Sequence, residues 1–140
     1  MVTRVSVVFL LAVACRTPVA LAPDARPKSE RLQTGVWGGE HVALTVTDAG
    51  GHLEFDCASG DIAQRLEVDD TGRLDVEGVF IQEHAGPVRV DEQPDRKPAH
   101  YSGRLTQKTL TLSVTLVESN ETIGSFVATY AASPRVRKCR

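Results

Sequence analysis

Four histidines (His41, His52, His84 and His100) and three cysteines (Cys15, Cys57 and Cys139) have the widest chemical repertoire in this chain. An imidazole beside a carboxylate is a common arrangement for moving protons. His41 with Asp56, and Glu83 with His84, are therefore the first pairs to weigh. None of the histidines falls in HExxH or another ligand spacing, so neither a metal nor a cofactor is expected. Glu83-His84-Ala85-Gly86-Pro87-Val88-Arg89 opens a long connection running to Pro98, and connections of that length often carry function. Trp37, Glu83, His84, Arg89 and Tyr101 are the ligand-binding candidates, centred on this rim, and no catalytic residue is assigned. The competing reading is a disordered acidic loop, beside an outer sheet face carrying His41, Thr45, His52, Glu54 and Asp56 simply because strands alternate.

The totals narrow the function classes. At 140 residues the chain has the length of one domain, and 41% hydrophobic with 24% charged residues excludes collagen, a coiled coil and wholesale disorder. A net charge of −2 with 5% aromatic residues gives no sign of a nucleic-acid partner. GxGxxG, GxxxxGK[ST] and GxSxG are all absent, which leaves nucleotide-dependent and α/β-hydrolase chemistry without support. Asp69-Asp70 lacks the spacing of an EF-hand. Acidic residues dominate from Glu40 to Asp95, whereas Arg135, Arg137, Lys138 and Arg140 crowd the C-terminus. That basic end either meets anionic lipid heads or pairs with the acidic body.

From Val42 onward the apolar period is two, and the helical period never persists. Register follows from placing apolar residues opposite one another. Val46 is expected opposite Leu53, Leu44 opposite Phe55 and Val42 opposite Cys57, around Asp48-Ala49-Gly50-Gly51, which points Cys57 into the core. Ile62 to Val68 should pair with Arg73 to Phe80, matching Val68 with Leu74, Leu66 with Val76 and Ile62 with Phe80. Tyr101 to Thr106 should pair with Thr109 to Leu116, matching Leu105 with Leu110 and Tyr101 with Val114. Leu116, Val114 and Leu112 then face Phe126, Ala128 and Tyr130. With a start near Trp37 and a last strand near Arg135 to Cys139, the count is about eight. An all-β, up-and-down barrel is the expected fold, because closure removes the exposed edges of so long a meander; an open β-sandwich is the alternative. A barrel of this size is either plugged by its own side chains or holds one small ligand.

The N-terminus carries an address. One Arg precedes the apolar run Val5 to Val13, and Ala12-Val13-Ala14 follows as a small-residue cleavage site, the layout of a secretory signal peptide. The run is shorter than the roughly 20 residues a membrane-spanning helix needs. The domain plan is a signal peptide over 1–14, a Pro- and charge-rich linker over 15–33 and the barrel over 34–140. In an exported chain three cysteines leave one odd thiol. Modification of Cys15 would leave Cys57 and Cys139 to bridge in an oxidising compartment, which is worth about 4 to 5 kcal/mol in the chain-entropy model. Two buried free thiols are the alternative.

Ala12-Val13-Ala14-Cys15 resembles the bacterial lipobox, with Ala12 where Leu is commonest. The resemblance implies a lipid on Cys15, cleavage before it, and the outer membrane in a Gram-negative cell, since Arg16 is not the Asp that signals inner-membrane retention. Plain secretion is the alternative. Gly35-Val36-Trp37 resembles the G-x-W of lipocalins and related calycins, which implies a Trp plugging one barrel end with Arg135 or Arg137 across it; the second lipocalin motif, T-D-Y, is absent. Gly35 to His41, followed by Glu54-Phe55-Asp56-Cys57-Ala58, is similar to small exported bacterial proteins without known activity. Calycin-type metallopeptidase inhibitors are also similar in plan, with Arg16 to Gln33 standing where their N-terminal segment enters the protease.

The sequence thus predicts a non-enzymatic, lipid-anchored envelope protein. Its partners are the membrane, through Cys15, and either a small apolar ligand or an envelope protein, and a monomer is expected. An inhibitor of an extracytoplasmic peptidase is the second reading, and an enzyme using a His–acid pair is the third.

Overall fold

The computed structural model describes residues 28–139, and every regular element among them is a strand. In chain order these are β1 (Glu30–Arg31), β2 (Gly35–Gly39), β3 (Val42–Val46), β4 (Gly51–Phe55), β5 (Ala58–Ile62), β6 (Glu67–Val68), β7 (Arg73–Gln82), β8 (Asp95–Thr106), β9 (Thr109–Leu116) and β10 (Thr122–Tyr130). Strands β2, β3, β4, β5, β7, β8, β9 and β10 pair antiparallel in succession, and β10 returns to β2. The result is a closed eight-stranded up-and-down barrel. β6 pairs with the start of β7, and β1 with β6, outside the ring. The open sandwich is excluded, because β10 and β2 join what would have been its edges.

Alternation builds the wall. β9, Thr-Leu-Thr-Leu-Ser-Val-Thr-Leu, buries every second residue from end to end. Leu44, Leu53, Leu110, Leu112 and Val114 fill the middle of the lumen with Tyr101. Phe55 lies 4.7 Å from Phe126 and 6.0 Å from Phe80, centroid to centroid, forming an aromatic layer nearer one end. Toward the other end Trp37 meets Tyr130 edge-on at 5.3 Å and donates its indole N–H to Gln33. Burial of this many large apolar side chains, each worth about 1.5 to 3 kcal/mol, is the main stabilising contribution.

Tyr101 shows how tightly the lumen is filled. Its hydroxyl donates to the Val79 carbonyl at 2.9 Å. A Cβ on Gly60 would come within 2.2 Å of that hydroxyl. Glycine in the middle of β5 is therefore required by the ring opposite it, and burial pushes the phenol above its ordinary titration range, with Asp61 adding to the effect.

Several expectations need correction. β3 and β4 are offset by two residues, pairing Val42 with Phe55, Leu44 with Leu53 and Val46 with Gly51. The turn begins earlier than expected, at Thr47, whose hydroxyl accepts from the Ala49 and Gly50 amides. An even offset leaves the faces unchanged. Cys57, however, moves into the β4–β5 turn, where it is half-buried with a positive φ of 54°, and does not point into the core. The segment Ile62 to Val68 is not one strand. β5 ends at Ile62, and Gly60, not Ile62, pairs with Phe80, while Val68 meets Leu74 as expected. β9 and β10 pair as Leu112 with Phe126 and Leu110 with Ala128, displaced by four residues from expectation, with a bulge between Thr122 and Gly124. Leu105 with Leu110 and Tyr101 with Val114 stand as read. The connection after Gln82 ends at Pro94, because β8 starts at Asp95 and takes in Pro98.

The last expected strand, Arg135 to Cys139, is a strap making only an isolated parallel bridge, Glu40 with Arg135. It lies against β2, where a Cβ on Gly38 would sit 2.2 Å from the Ala132 carbonyl. Arg135 does not cross Trp37; it binds the Glu40 carboxylate at 2.6 Å, and Tyr130 takes the place against the indole. At the N-terminal side, Leu32 is 3% exposed and donates its amide to Leu66, so the folded body takes in residues just before Thr34. The signal-peptide stretch, Cys15 and the linker up to Pro27 lie outside the described residues.

Candidate functional site

Three chain segments converge at the end of the barrel where β7 hands over to β8. They are the Asp56-Cys57 turn, the Glu83–Pro94 connection and the C-terminal strap. Cys57 and Cys139 form a disulfide across 82 residues of sequence, with Cα atoms 4.8 Å apart. The strap is laid down by a ladder of backbone bonds: Arg135 N–H to Gly39, His41 N–H to Arg135 and Cys57 N–H to Arg137. Asp56 accepts from the Arg137 amide at 2.7 Å and from His41 Nδ1 at 2.5 Å. Chiefly through that amide, and next through His41, its carboxyl is held below the usual range. One of the two His–acid pairs weighed from the sequence therefore exists, and its visible work is to anchor the strap.

The roots of the β7–β8 connection are tied to the same staple. Glu83 donates its amide to the Cys57 carbonyl at 3.0 Å, and the Gln82 side chain donates to the same oxygen at 3.1 Å. Lys138 reaches Glu83 at 3.2 Å and Glu54 at 3.6 Å. The basic C-terminus thus pairs with acidic residues of the body.

Within the connection, His84 Nε2 binds the Glu92 carboxylate while Nδ1 meets the Ala85 carbonyl at 3.1 Å. Both ring nitrogens face acceptors, which favours the imidazolium. The Ala85 carbonyl first, and Glu92 second, raise its pKa. Glu92 also accepts from the Arg89 amide at 3.2 Å and returns its own amide to the Arg89 carbonyl at 3.0 Å. The Arg89 amide and then His84 hold Glu92 below its ordinary value. A cleft of about 510 Å³ opens here, lined among others by Ile81, Glu83, His84, Val88, Glu92 and Cys139. Above it Val88 is 73% exposed and Val90 fully exposed, with Arg89 between them.

Of the five ligand-binding candidates, the structure brings Glu83 and His84 into this cleft and Arg89 onto its tip. Trp37 and Tyr101 are elsewhere: both are fully buried, Trp37 toward the far end and Tyr101 in the lumen. They belong to the packing of the barrel. Sequence reasoning missed Glu92, the partner of His84, and Lys138, the cation on Glu83. The Cys57–Cys139 pairing was the available signal for Lys138, since it forces the residue beside Cys139 onto this rim.

The rim holds no chemical constellation beyond such pairs. All four histidines lie against a carboxylate: His41 on Asp56, His52 on Asp61, His84 on Glu92 and His100 on Asp75. Among the described residues no group of three or more His, Cys, Asp or Glu side chains is placed to hold a metal ion. No family model matches the chain, and neither a curated protein nor a solved structure matches it.

Proposed function

We propose that this protein is a non-enzymatic, exported and lipid-anchored component of the cell envelope, attached through Cys15, that binds a protein partner with the β7–β8 rim. The supporting observation is the combination of a filled lumen with a stapled loop. Tyr101, the leucines and the aromatic layer occupy the interior where an apolar ligand would sit. The loop, by contrast, projects two exposed valines from a base fixed by the disulfide, by Lys138 and by the His84–Glu92 pair. Exposed apolar side chains on a pre-ordered support keep the ordering cost of association low. Val88 and Val90 are the anchors of this reading, and Arg89 supplies orientation. In a Gram-negative cell the anchor would be in the outer membrane.

The test uses the full chain in its native membrane. A photo-crosslinking amino acid at Val88 should couple to one discrete envelope protein, and Val90→Asp should remove that product. The same probe at Thr45, on the far side of the barrel, should not give it. Identical products from both sites, or none from Val88, would sink the reading. Intact mass of the same material, with and without reductant, reports the lipid on Cys15 separately.

A second reading, inhibition of an extracytoplasmic peptidase, draws support from the N-terminal arm. Glu30–Arg31 pairs with β6 and Leu32 is buried, so whatever precedes them leaves from a fixed root. Titration against a panel of purified metallo- and serine peptidases decides it.

A further inference from the structure

Asn120 is the only asparagine in the chain, and it begins Asn120-Glu121-Thr122, the N-x-T acceptor sequence for glycan transfer in exported proteins. Glu118 stands two residues before it, and Ser119 and Glu121 fill the variable places, so neither is proline. Glu118-Ser119-Asn120-Glu121-Thr122 therefore also has the longer acidic form, D/E-x-N-x-S/T, read by glycan transferases of bacterial envelopes. A carboxylate at the first position offers such an enzyme a charge to grip through a charge-assisted hydrogen bond.

The structure places this segment where a transferase can take hold of it. β9 ends at Leu116 and β10 starts at Thr122, which leaves Val117 to Glu121 as the connection. Every residue from Val117 to Thr122 is exposed. At its root the Leu116 amide donates to the Glu121 carbonyl at 2.8 Å, and the Val117 amide ties it to Pro98 of β8 at 3.0 Å. Neither bond involves Asn120. Beyond it, the Thr115–Thr122 hydroxyl contact is long, at 3.5 Å, and β10 bulges between Thr122 and Gly124. Drawing the acceptor segment outward thus leaves the main β9–β10 ladder, from Gly124 to Thr129, in place.

Turn chemistry alone asks for less than the sequence supplies. Asn120 has a positive φ of 55°, which glycine or aspartate would satisfy as well. That conformation makes no demand on residues 118 and 122. An acid at the one and a hydroxyl at the other are what a transferase requires.

We propose that Asn120 is a glycosylation site, modified on the exported chain by an oligosaccharyl transferase that reads Glu118, Asn120 and Thr122. The donor is an oligosaccharide joined through its anomeric carbon to a polyprenyl diphosphate. Asn120 Nδ2 attacks that carbon, the bond from carbon to diphosphate oxygen breaks, and its electron pair leaves with the polyprenyl diphosphate. One amide proton passes to a base on the transferase. The proposal rests on export, as the function above does, and not on the rim loop.

The test takes the full chain from its native membrane, digests it with trypsin and weighs the peptide 109–135 together with the N-terminal peptide. The first is expected to carry a glycan on Asn120. Asn120→Asp, which still tolerates positive φ, and Thr122→Val should each remove it, whereas Thr122→Ser should keep it. Glu118→Gln should lower occupancy about tenfold, the worth of one hydrogen bond to a charged group. A bare peptide overturns the proposal, as does an added mass that survives Asn120→Asp, is lost in Thr122→Ser or is indifferent to Glu118→Gln. Lipid on Cys15 with a bare Asn120 overturns this proposal alone; an uncleaved N-terminus beside a bare Asn120 overturns export with it.

Discussion

The rim and the β8–β10 face are both made of polar side chains on one barrel, yet they spend those groups in opposite ways. At the rim nearly every polar group is already engaged within the protein: Asp56 with Arg137 and His41, Glu83 with Lys138, Glu92 with His84 and Arg89. On the outer face of β9 and β10, by contrast, Thr111 and Ser125 face solvent. Saturated groups fix geometry, and that is what a loop projecting two valines requires. Unsaturated groups on a rigid sheet are free to exchange water for a ligand. Polarity alone therefore says little about role, and the internal partners of each group say more.

The largest expected effect breaks the rim and spares the other face. Cys57→Ser, or reduction of the bridge, should cost about 2 to 5 kcal/mol and lower the melting temperature on the order of 10 °C. Below the transition, hydrogen exchange should rise in residues 83–94 and 131–139 while β8–β10 amides stay protected. Equal loosening of both regions would show that they are one cooperative unit and dissolve the comparison. A smaller effect reaches both regions through the core they share. Gly60→Ala places a methyl against the Tyr101 hydroxyl and separates it from Val79. Overpacking of this kind costs about 1 to 3 kcal/mol, to be read as a denaturant midpoint lowered at constant slope. An unchanged midpoint would mean that the lumen has slack that the packing around Tyr101 does not suggest.

How much of this was legible depends on which rule each segment obeys. Parity was: Leu44, Leu53, Leu112 and Val114 face inward as alternation demands, even where the exact register shifted by two or four residues. Strand membership was not. Ala58-Ser59-Gly60-Asp61 has the composition of a turn, and only the ring of Tyr101, far along the chain, explains why glycine is needed inside β5. Pro98 reads as a strand breaker, yet it sits within β8 opposite Val79. The strap has no apolar period at all. Its path follows from the disulfide and the Arg135, Arg137 and His41 backbone bonds. At the candidate site, Glu83, His84 and Arg89 were legible because the loop is long, and Glu92 was missed because closure of a loop on itself leaves no periodic trace.

The smallest effect is local and depends on pH. His84 carries a raised pKa, so the stabilisation from its pairing is complete below its ordinary value of 6.5 and fades as pH climbs through the raised one. Glu92 is lowered, so its contribution is complete above its ordinary value of 4.5 and fades only as pH falls through the lowered one. The loop should accordingly be most ordered between about pH 4.5 and 6.5 and should loosen toward pH 8. Because these side chains are partly open to solvent and the pair is single, global stability should hardly change. The readout is hydrogen exchange of the Arg89 and Glu92 amides, corrected for its intrinsic pH dependence. Protection should fall as pH rises from 6 to 8, and His84→Gln should flatten the profile. The β8–β10 amides give the internal reference, since the one histidine on those strands, His100, lies against Asp75 of β7 and away from the loop. A parallel loss of protection in both regions would assign the pH response to the barrel as a whole and not to the His84–Glu92 pair.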